Sequence, residues 1–183
     1  RQKPFLVFII AVSLLQSSHA VLYVFGTIHW REAGLPDDVI GALWAEGVLA
    51  EIILFAFSGA VLARISPIRL MYIAAIGGIV RWVILANTTD IGVLFATQWL
   101  HGLTFGAAHL AAMHYMLQTV PEHMSASAQS LYSGFATGLV MGLTMLVAGG
   151  LYENFAGGAF YTMIGLSAAG GAAAIWLARL KLD

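Results

Sequence analysis

A bundle of six membrane-spanning α-helices is the fold class this 183-residue sequence predicts, and three observations predict it. Hydrophobic residues make up 60% of the chain against 9% charged, with a mean hydropathy of +0.87, whereas a water-soluble core of this size needs far more polar surface. Apolar stretches of about 18–25 residues follow one another, each long enough to cross a bilayer. The Lys and Arg of the termini and short breaks gather on one side, with Arg31 alone on the other.

The first stretch, 5–28, begins after Arg1 and Lys3. A basic start before an apolar run mimics a secretory leader. Here Gln16, Ser17, Ser18 and His19 interrupt the run, which continues to Ile28 and is too long for a leader core. Because the first residue is Arg1 rather than Met, a piece of a longer chain or a processed product is expected. The second stretch, 39–63, follows the turn chemistry of Gly34-Leu35-Pro36-Asp37. The third, 70–86, follows Ser66-Pro67, and the fourth, 91–117, follows the polar break 87–90. Val120-Pro121 precedes the fifth, 126–152, and the break 153–158 precedes the sixth, 159–180. No linker rich in Pro, Gly or Ser divides these elements, so residues 1–183 read as one domain.

Charge sets the orientation. One side collects Arg1, Lys3, Arg64, Arg69, Arg179 and Lys181, while the other has only Arg31 against Glu32, Asp37, Asp38, Asp90 and Glu153. The positive-inside rule then makes both termini cytoplasmic, as an even number of spans requires. Gln16/His19 in the first stretch and Gln98/His101 in the fourth echo one another. Such an echo is the pattern of two three-helix units related as inverted repeats.

Ionisable side chains stranded in this apolar sequence carry the functional reading. A charge at the centre of a membrane helix costs about 2.5–3.5 kcal/mol on insertion scales, so Glu46, Glu51 and Arg81 should face a bundle interior or an aqueous cavity. Glu51 lies roughly 18 Å from the cytoplasmic end of its stretch, and Arg81 about 17 Å from the same side of the next. Antiparallel neighbours bring them to one depth, which predicts an ion pair. A pair that merely fixes helix register is the competing reading, but buried ion pairs are weak stabilisers. Glu46 points some 140° away from Glu51 and is equally explained by an outer vestibule.

His101 and His109 lie two turns apart with projections differing by about 80°, so both can border one cavity together with Gln98. Histidine titrates near physiological pH, which suits a proton relay, although each ring alone is also explained by a bond to a neighbouring helix. Gln16, His19 and Tyr23 give the first stretch a polar, aromatic-flanked surface, with Tyr23 one turn after His19. Ser130, Gly134, Gly138 and Gly142 repeat every fourth residue, a stripe that permits close approach of another helix. Trp30, Trp82, Trp99 and Trp176 suit interfacial belts, and Trp82 and Trp99 equally suit a cavity wall.

Other chemistries find no support. The chain has no cysteine, hence no disulfide or thiolate metal site, and no basic stripe for nucleic acid. Two histidines on one helix without a matched pair do not hold a haem. There is no His-Glu-x-x-His helix, glycine-rich phosphate loop or nucleophile elbow. No cofactor, no metal and no enzymatic activity are expected.

A family resemblance follows from longer motifs. Gly59-Ala-Val-Leu-Ala63-Arg64 resembles the cytoplasmic loop motif of the major facilitator superfamily, with Ala63 where that motif has Asp. His19-Ala20, Tyr23, Phe25, Ile28-x-Trp30, Gly34, Gly41-x-Leu43-Trp44, Gly47-x-x-x-Glu51 and Gly78-x-x-Arg81-Trp82 extend the likeness. Gln98-x-Leu100-His101, Thr104-Phe105, His109-Leu110-Ala111-Ala112-Met113 and Gln129-x-x-Tyr132-Ser133 complete it. Together they are similar to the phenylpropionate permease family of proton symporters, and the six stretches resemble the C-terminal half of such a transporter. Glu, Arg and His on successive helices also resemble lactose-permease-type symporters, which keeps sugars and nucleosides open. A non-transporting six-helix receptor or assembly module is the reading from another class.

The resemblance implies proton-coupled symport of a small organic acid, an aromatic carboxylate such as phenylpropionate, across a bacterial cytoplasmic (inner) membrane. Glu51, Arg81, His101 and His109 would couple the proton. Gln16, His19, Tyr23, Gln98 and Arg81 would bind the substrate. The partners implied are the lipid bilayer, the small-molecule substrate with its protons, and an N-terminal six-helix half or a second copy.

Overall fold

The computed structural model describes residues 2–180, all of it helix and connecting turns with no strand among the described residues. Arg1 and Lys181, counted above on the basic side, lie outside the described residues.

The first stretch is two helices, α1 (Gln2–Ser17) and α2 (Ala20–Glu32), interrupted where polar side chains compete for backbone carbonyls. Ser18 Oγ donates to Leu15 O at 2.7 Å, and His19 Nδ1 donates to Gln16 O at 3.1 Å. The chain leaves α2 through a Schellman turn, Leu35 N to Trp30 O and Gly34 N to Arg31 O, each 3.0 Å. The turn sets Gly34 at φ +89°, which a side chain would strain. Pro36 then caps α3 (Asp37–Ala56), whose first turn carries Asp37 and Asp38 against the positive end of the helix dipole.

Where the sequence predicts an unbroken helix over 39–63, the regular turns stop at Phe57 (φ −99°, ψ 12°) before the short α4 (Ser58–Leu62). Ser58 and Gly59, weak helix formers, follow directly. The third helix starts earlier than predicted. Ser66 accepts from Arg69 N and Pro67 occupies the first turn of α5 (Pro67–Asn87).

The fourth stretch departs furthest from a plain helix. Asp90 caps α6 (Ile91–Gln98), a π-helical turn spans Gly102–Gly106, and α7 (Ala107–Thr119) completes it. A second π-helical segment, Ser133–Val140, joins α8 (Ser125–Tyr132) to α9 (Met141–Phe155). α10 (Phe160–Arg179) closes the chain. Lys3–Glu32, Asp37–Ala56, Pro67–Asn87 and Glu122–Arg179 are long and apolar enough to cross a membrane, the last holding the fifth and sixth predicted stretches.

α10 lies between α1 and α5, α5 also packs on α7, and α3 rests against α6 and the first π-helical turn. Two apolar clusters form inside. One gathers Phe8, Leu15, Met71, Ala108, Tyr115 and Tyr132. The other gathers Trp30, Leu43, Trp82, Leu94, Phe160 and Met163. The helices cross from one to the other through a buried polar layer: Gln16 to His19 between Leu15 and Ala20, Arg81 between Ala75 and Trp82, and Thr97 to Thr104 between Leu94 and Ala107. Many exposed side chains elsewhere are large and apolar, Leu117 and Leu146 among them, as lipid contact requires.

Two packing expectations change. Trp30 and Trp82 are fully buried core residues, while Trp99 and Trp176 are half exposed and suit the membrane interface. The stripe of Ser130, Gly134, Gly138 and Gly142 faces outward, with open space over Gly134 and Gly142, so no helix among the described residues packs on it.

Candidate functional site

Arg81 is the centre of the polar layer, 1% exposed although it carries a permanent charge. Both terminal nitrogens are engaged at this depth, while Nε is buried without a partner among the described residues. Nη1 donates to His101 Nδ1 at 2.7 Å and to Thr104 Oγ1 at 3.2 Å, and Nη2 donates to Gln98 Oε1 at 2.9 Å. The guanidinium also lies 5.2 Å from the Trp82 ring, which is fixed by its own bond to Ser167 Oγ at 3.1 Å.

Arginine has no acceptor atom, so the short contact with Arg81 fixes the state of His101. Nδ1 must be the bare nitrogen, and the ring proton of a neutral imidazole then sits on Nε2. That nitrogen is 2.7 Å from Glu51 Oε1 and donates to it. The expected direct ion pair between Glu51 and Arg81 is therefore corrected. His101 stands between the two residues, in contact with both, and relays the positive field of Arg81 to the carboxylate. The π-helical turn that follows His101 brings Thr104 to the same centre. Such turns concentrate at functional sites.

His19 joins from the other side. Its Nδ1 donates to the Gln16 carbonyl, and its Nε2 lies 3.0 Å from Thr104 Oγ1, which accepts from Arg81 and lies 3.3 Å from the His101 carbonyl. Tyr23 stacks on His19 with centroids 5.7 Å apart, bringing together the two residues predicted to meet one turn apart. Gln16 continues the network through its side chain. Nε2 is 3.4 Å from the Tyr132 hydroxyl, which lies 3.2 Å from His109 Nδ1. Phe105 stacks between the two histidines, 5.4 Å from His101 and 6.3 Å from His109.

All the sequence-predicted site residues thus fall in one connected cluster, but at different depths. Gln16, His19, Arg81 and Gln98 are shut off from solvent, whereas Glu51, Tyr23 and His109 are only partly buried. Arg81 itself is 1% exposed, with His101 between it and Glu51. Glu46 stands apart, with Oε2 buried and unpartnered among the described residues. Thr104, Phe105 and Tyr132 received no role from the sequence, although each lies in a quoted motif. The three-residue spacing of His101 and Thr104 was the available signal, hidden because the π-helical winding cannot be read from periodicity.

Gly102 lets the helices come close enough for the Glu51–His101 bond. A Cβ there would lie 2.9 Å from the backbone carbonyl oxygen of Ala50, next to Glu51. Gly102→Ala is expected to destabilise the bundle by about 1–3 kcal/mol, the usual cost of overpacking, and to draw α3 away from His101. Thermal unfolding in detergent checks the first effect. An unchanged midpoint would show that α3 yields freely.

The MFS_1 like family matches residues 1–163. Over 156 residues, 85% of its length, the chain is 38% identical to a protein of Escherichia coli (strain K12) named "Probable 3-phenylpropionic acid transporter", covering 41% of that protein. It is 22% identical over 180 residues to the uncharacterized transporter YwbF of Bacillus subtilis (strain 168), covering 98% of this chain and 45% of the relative. A shorter match, 30% over 100 residues, joins 55% of the chain to 25% of the maltose permease of Geobacillus stearothermophilus. The chain spans less than half the length of these relatives. On this likeness and on its apolar helices, the chain belongs to the MFS_1 like family, as an integral-membrane, phenylpropionate permease-like member of the major facilitator superfamily.

Proposed function

We propose that this chain is the C-terminal half of a secondary transporter, six spans in two inverted three-helix repeats, that couples protons to the uptake of a small organic acid. An aromatic carboxylate such as phenylpropionate is the substrate favoured by the Escherichia coli relative. The single observation that carries the reading is the buried chain Glu51–His101–Arg81 inside an apolar bundle. A structural pair needs neither a histidine inserted between its charges nor a carboxylate that keeps 18% of its side chain exposed.

In this reading Glu51 gates or carries the proton, and His101 transmits to it the charge of Arg81. His109 and Tyr23 front the cavity with Glu51, while Gln16, His19 and Gln98 support them from behind. The partly buried rings of Tyr23, Trp44 and Phe105 offer a surface for an aromatic substrate. Alternating access rocks this half against an N-terminal half, with both termini in the cytoplasm of a bacterial inner membrane. The half by itself is not expected to transport unless two copies pair.

Similarity to a maltose permease favours a sugar as the second reading. Proteoliposomes containing the complete protein separate the two. An inward proton gradient should accumulate labelled 3-phenylpropionate several-fold, an uncoupler should abolish the gain, and excess maltose should not compete. Gradient-driven accumulation of maltose with none of the acid would overturn the carboxylate reading.

A further inference from the structure

We infer that His109, backed by Tyr132 and Gln16, is the side chain that takes up and releases the coupled proton, while His101 stays neutral. The inference rests on the proton-symport reading and assigns the proton within it.

The two rings differ in what surrounds them. His101 has both nitrogens committed, Nε2–H to Glu51 and bare Nδ1 to Arg81. A second proton on Nδ1 would set N–H against N–H at 2.7 Å, beside a charge that arginine cannot lose. His101 can gain a proton only by breaking the contact on which the burial of Arg81 depends.

His109 faces a partner that adapts. The Tyr132 hydroxyl, 3.2 Å from Nδ1, can either donate or accept, and behind it stands the Gln16 amide at 3.4 Å. With Nε2 of Gln16 toward the phenol, the amide donates to the Tyr132 oxygen and the hydroxyl donates to bare Nδ1, a neutral ring. With the amide turned over, the hydroxyl donates to Oε1 and the phenol oxygen accepts from Nδ1–H. The neutral ring already carries its proton on Nε2, so the proton gained is the one on Nδ1, and the imidazolium holds one on each nitrogen. Imidazole plus H⁺ gives imidazolium with one N–H bond formed and none broken, while the hydrogen bonds through Tyr132 reverse direction.

Gln16 is fully buried and its Oε1 has no partner among the described residues, so turning the amide over sacrifices no hydrogen bond. The charged and titratable groups facing His109 are Glu51 on α3, whose carboxylate supplies the opposite charge, and Tyr132 on α8. Arg81 on α5 and His19 beside α2 are turned toward Thr104, with Arg81 also bound to His101. Phe105 stands between the two histidine rings and keeps their states separate.

The test is ¹⁵N NMR of the complete protein, histidine-labelled, in nanodiscs from pH 5 to 8.5, with resonances assigned through His101→Asn and His109→Asn. His109 should titrate within this range, and His101 should keep a bare Nδ1 throughout. Tyr132→Phe should move the His109 midpoint to lower pH by about one unit, the scale of one charge-assisted hydrogen bond lost. Where that variant does not insert, Gln16→Met removes the turnable amide and should shift the midpoint in the same direction. A titrating His101, a His109 silent across the range, or a midpoint indifferent to both variants would overturn the inference. Wild-type vesicles that accumulate no solute on a proton gradient while His109 titrates would refute the symport reading and not the histidine's chemistry.

Discussion

Glu51→Gln is expected to abolish proton-driven accumulation, so that internal substrate rises only to the external concentration, while exchange across the membrane survives within about an order of magnitude. Glutamine keeps the shape of the side chain, and its carbonyl can still accept from Nε2–H of His101. What it loses is the charge. Arg81 is then left without its opposite partner, and His109 without the carboxylate that faces it, so the protonated state has no counter-charge. Energy coupling is lost ahead of binding or movement. Parallel measurement of gradient-driven uptake and of counterflow in proteoliposomes checks this. Accumulation equal to the wild type would make Glu51 a structural residue and end the coupling model.

Arg81→Met should have the largest effect on stability, about 3–5 kcal/mol, the range for leaving a buried charge uncompensated. Arg81 is 1% exposed and donates to three side chains, so methionine leaves His101 Nδ1, Gln98 Oε1 and Thr104 Oγ1 without their donor. Each buried group left unpaired costs about 1–3 kcal/mol. Glu51 is also left as the lone charge of the layer. Pairing the change with Glu51→Leu removes that charge and should recover part of the stability without restoring transport. Unfolding midpoints of the single and double variants, read beside uptake, test both statements. Full activity in the double variant would favour the receptor or assembly module instead.

Much of the helical layout was legible in the sequence, because its causes are local. Ser66-Pro67 and Asp90 start helices through caps that need only adjacent residues, and the Gly34 turn needs only a residue that tolerates positive φ. The interruptions were not legible. Phe57 and the two π-helical segments lie inside apolar runs whose composition reads the same in either winding. The sequence drew attention to Glu51, Arg81, His101, His109 and His19 because charge and imidazole are costly in an apolar medium wherever they end up.

Which of these residues touch is a different kind of fact. Depth along a helix axis predicted Glu51 opposite Arg81, but rotation about that axis and the π-helical turn put His101 between them. Contact depends on helix phase and on a Gly102 that admits the Ala50 carbonyl, and neither is encoded within one segment. The sequence by itself determined an apolar helical chain with a few ionisable groups that must be sheltered. Only the tertiary structure decided that Arg81 would be sealed behind His101 while Glu51 and His109 stayed only partly buried, because sheltering a charge takes donors and acceptors from several helices at once.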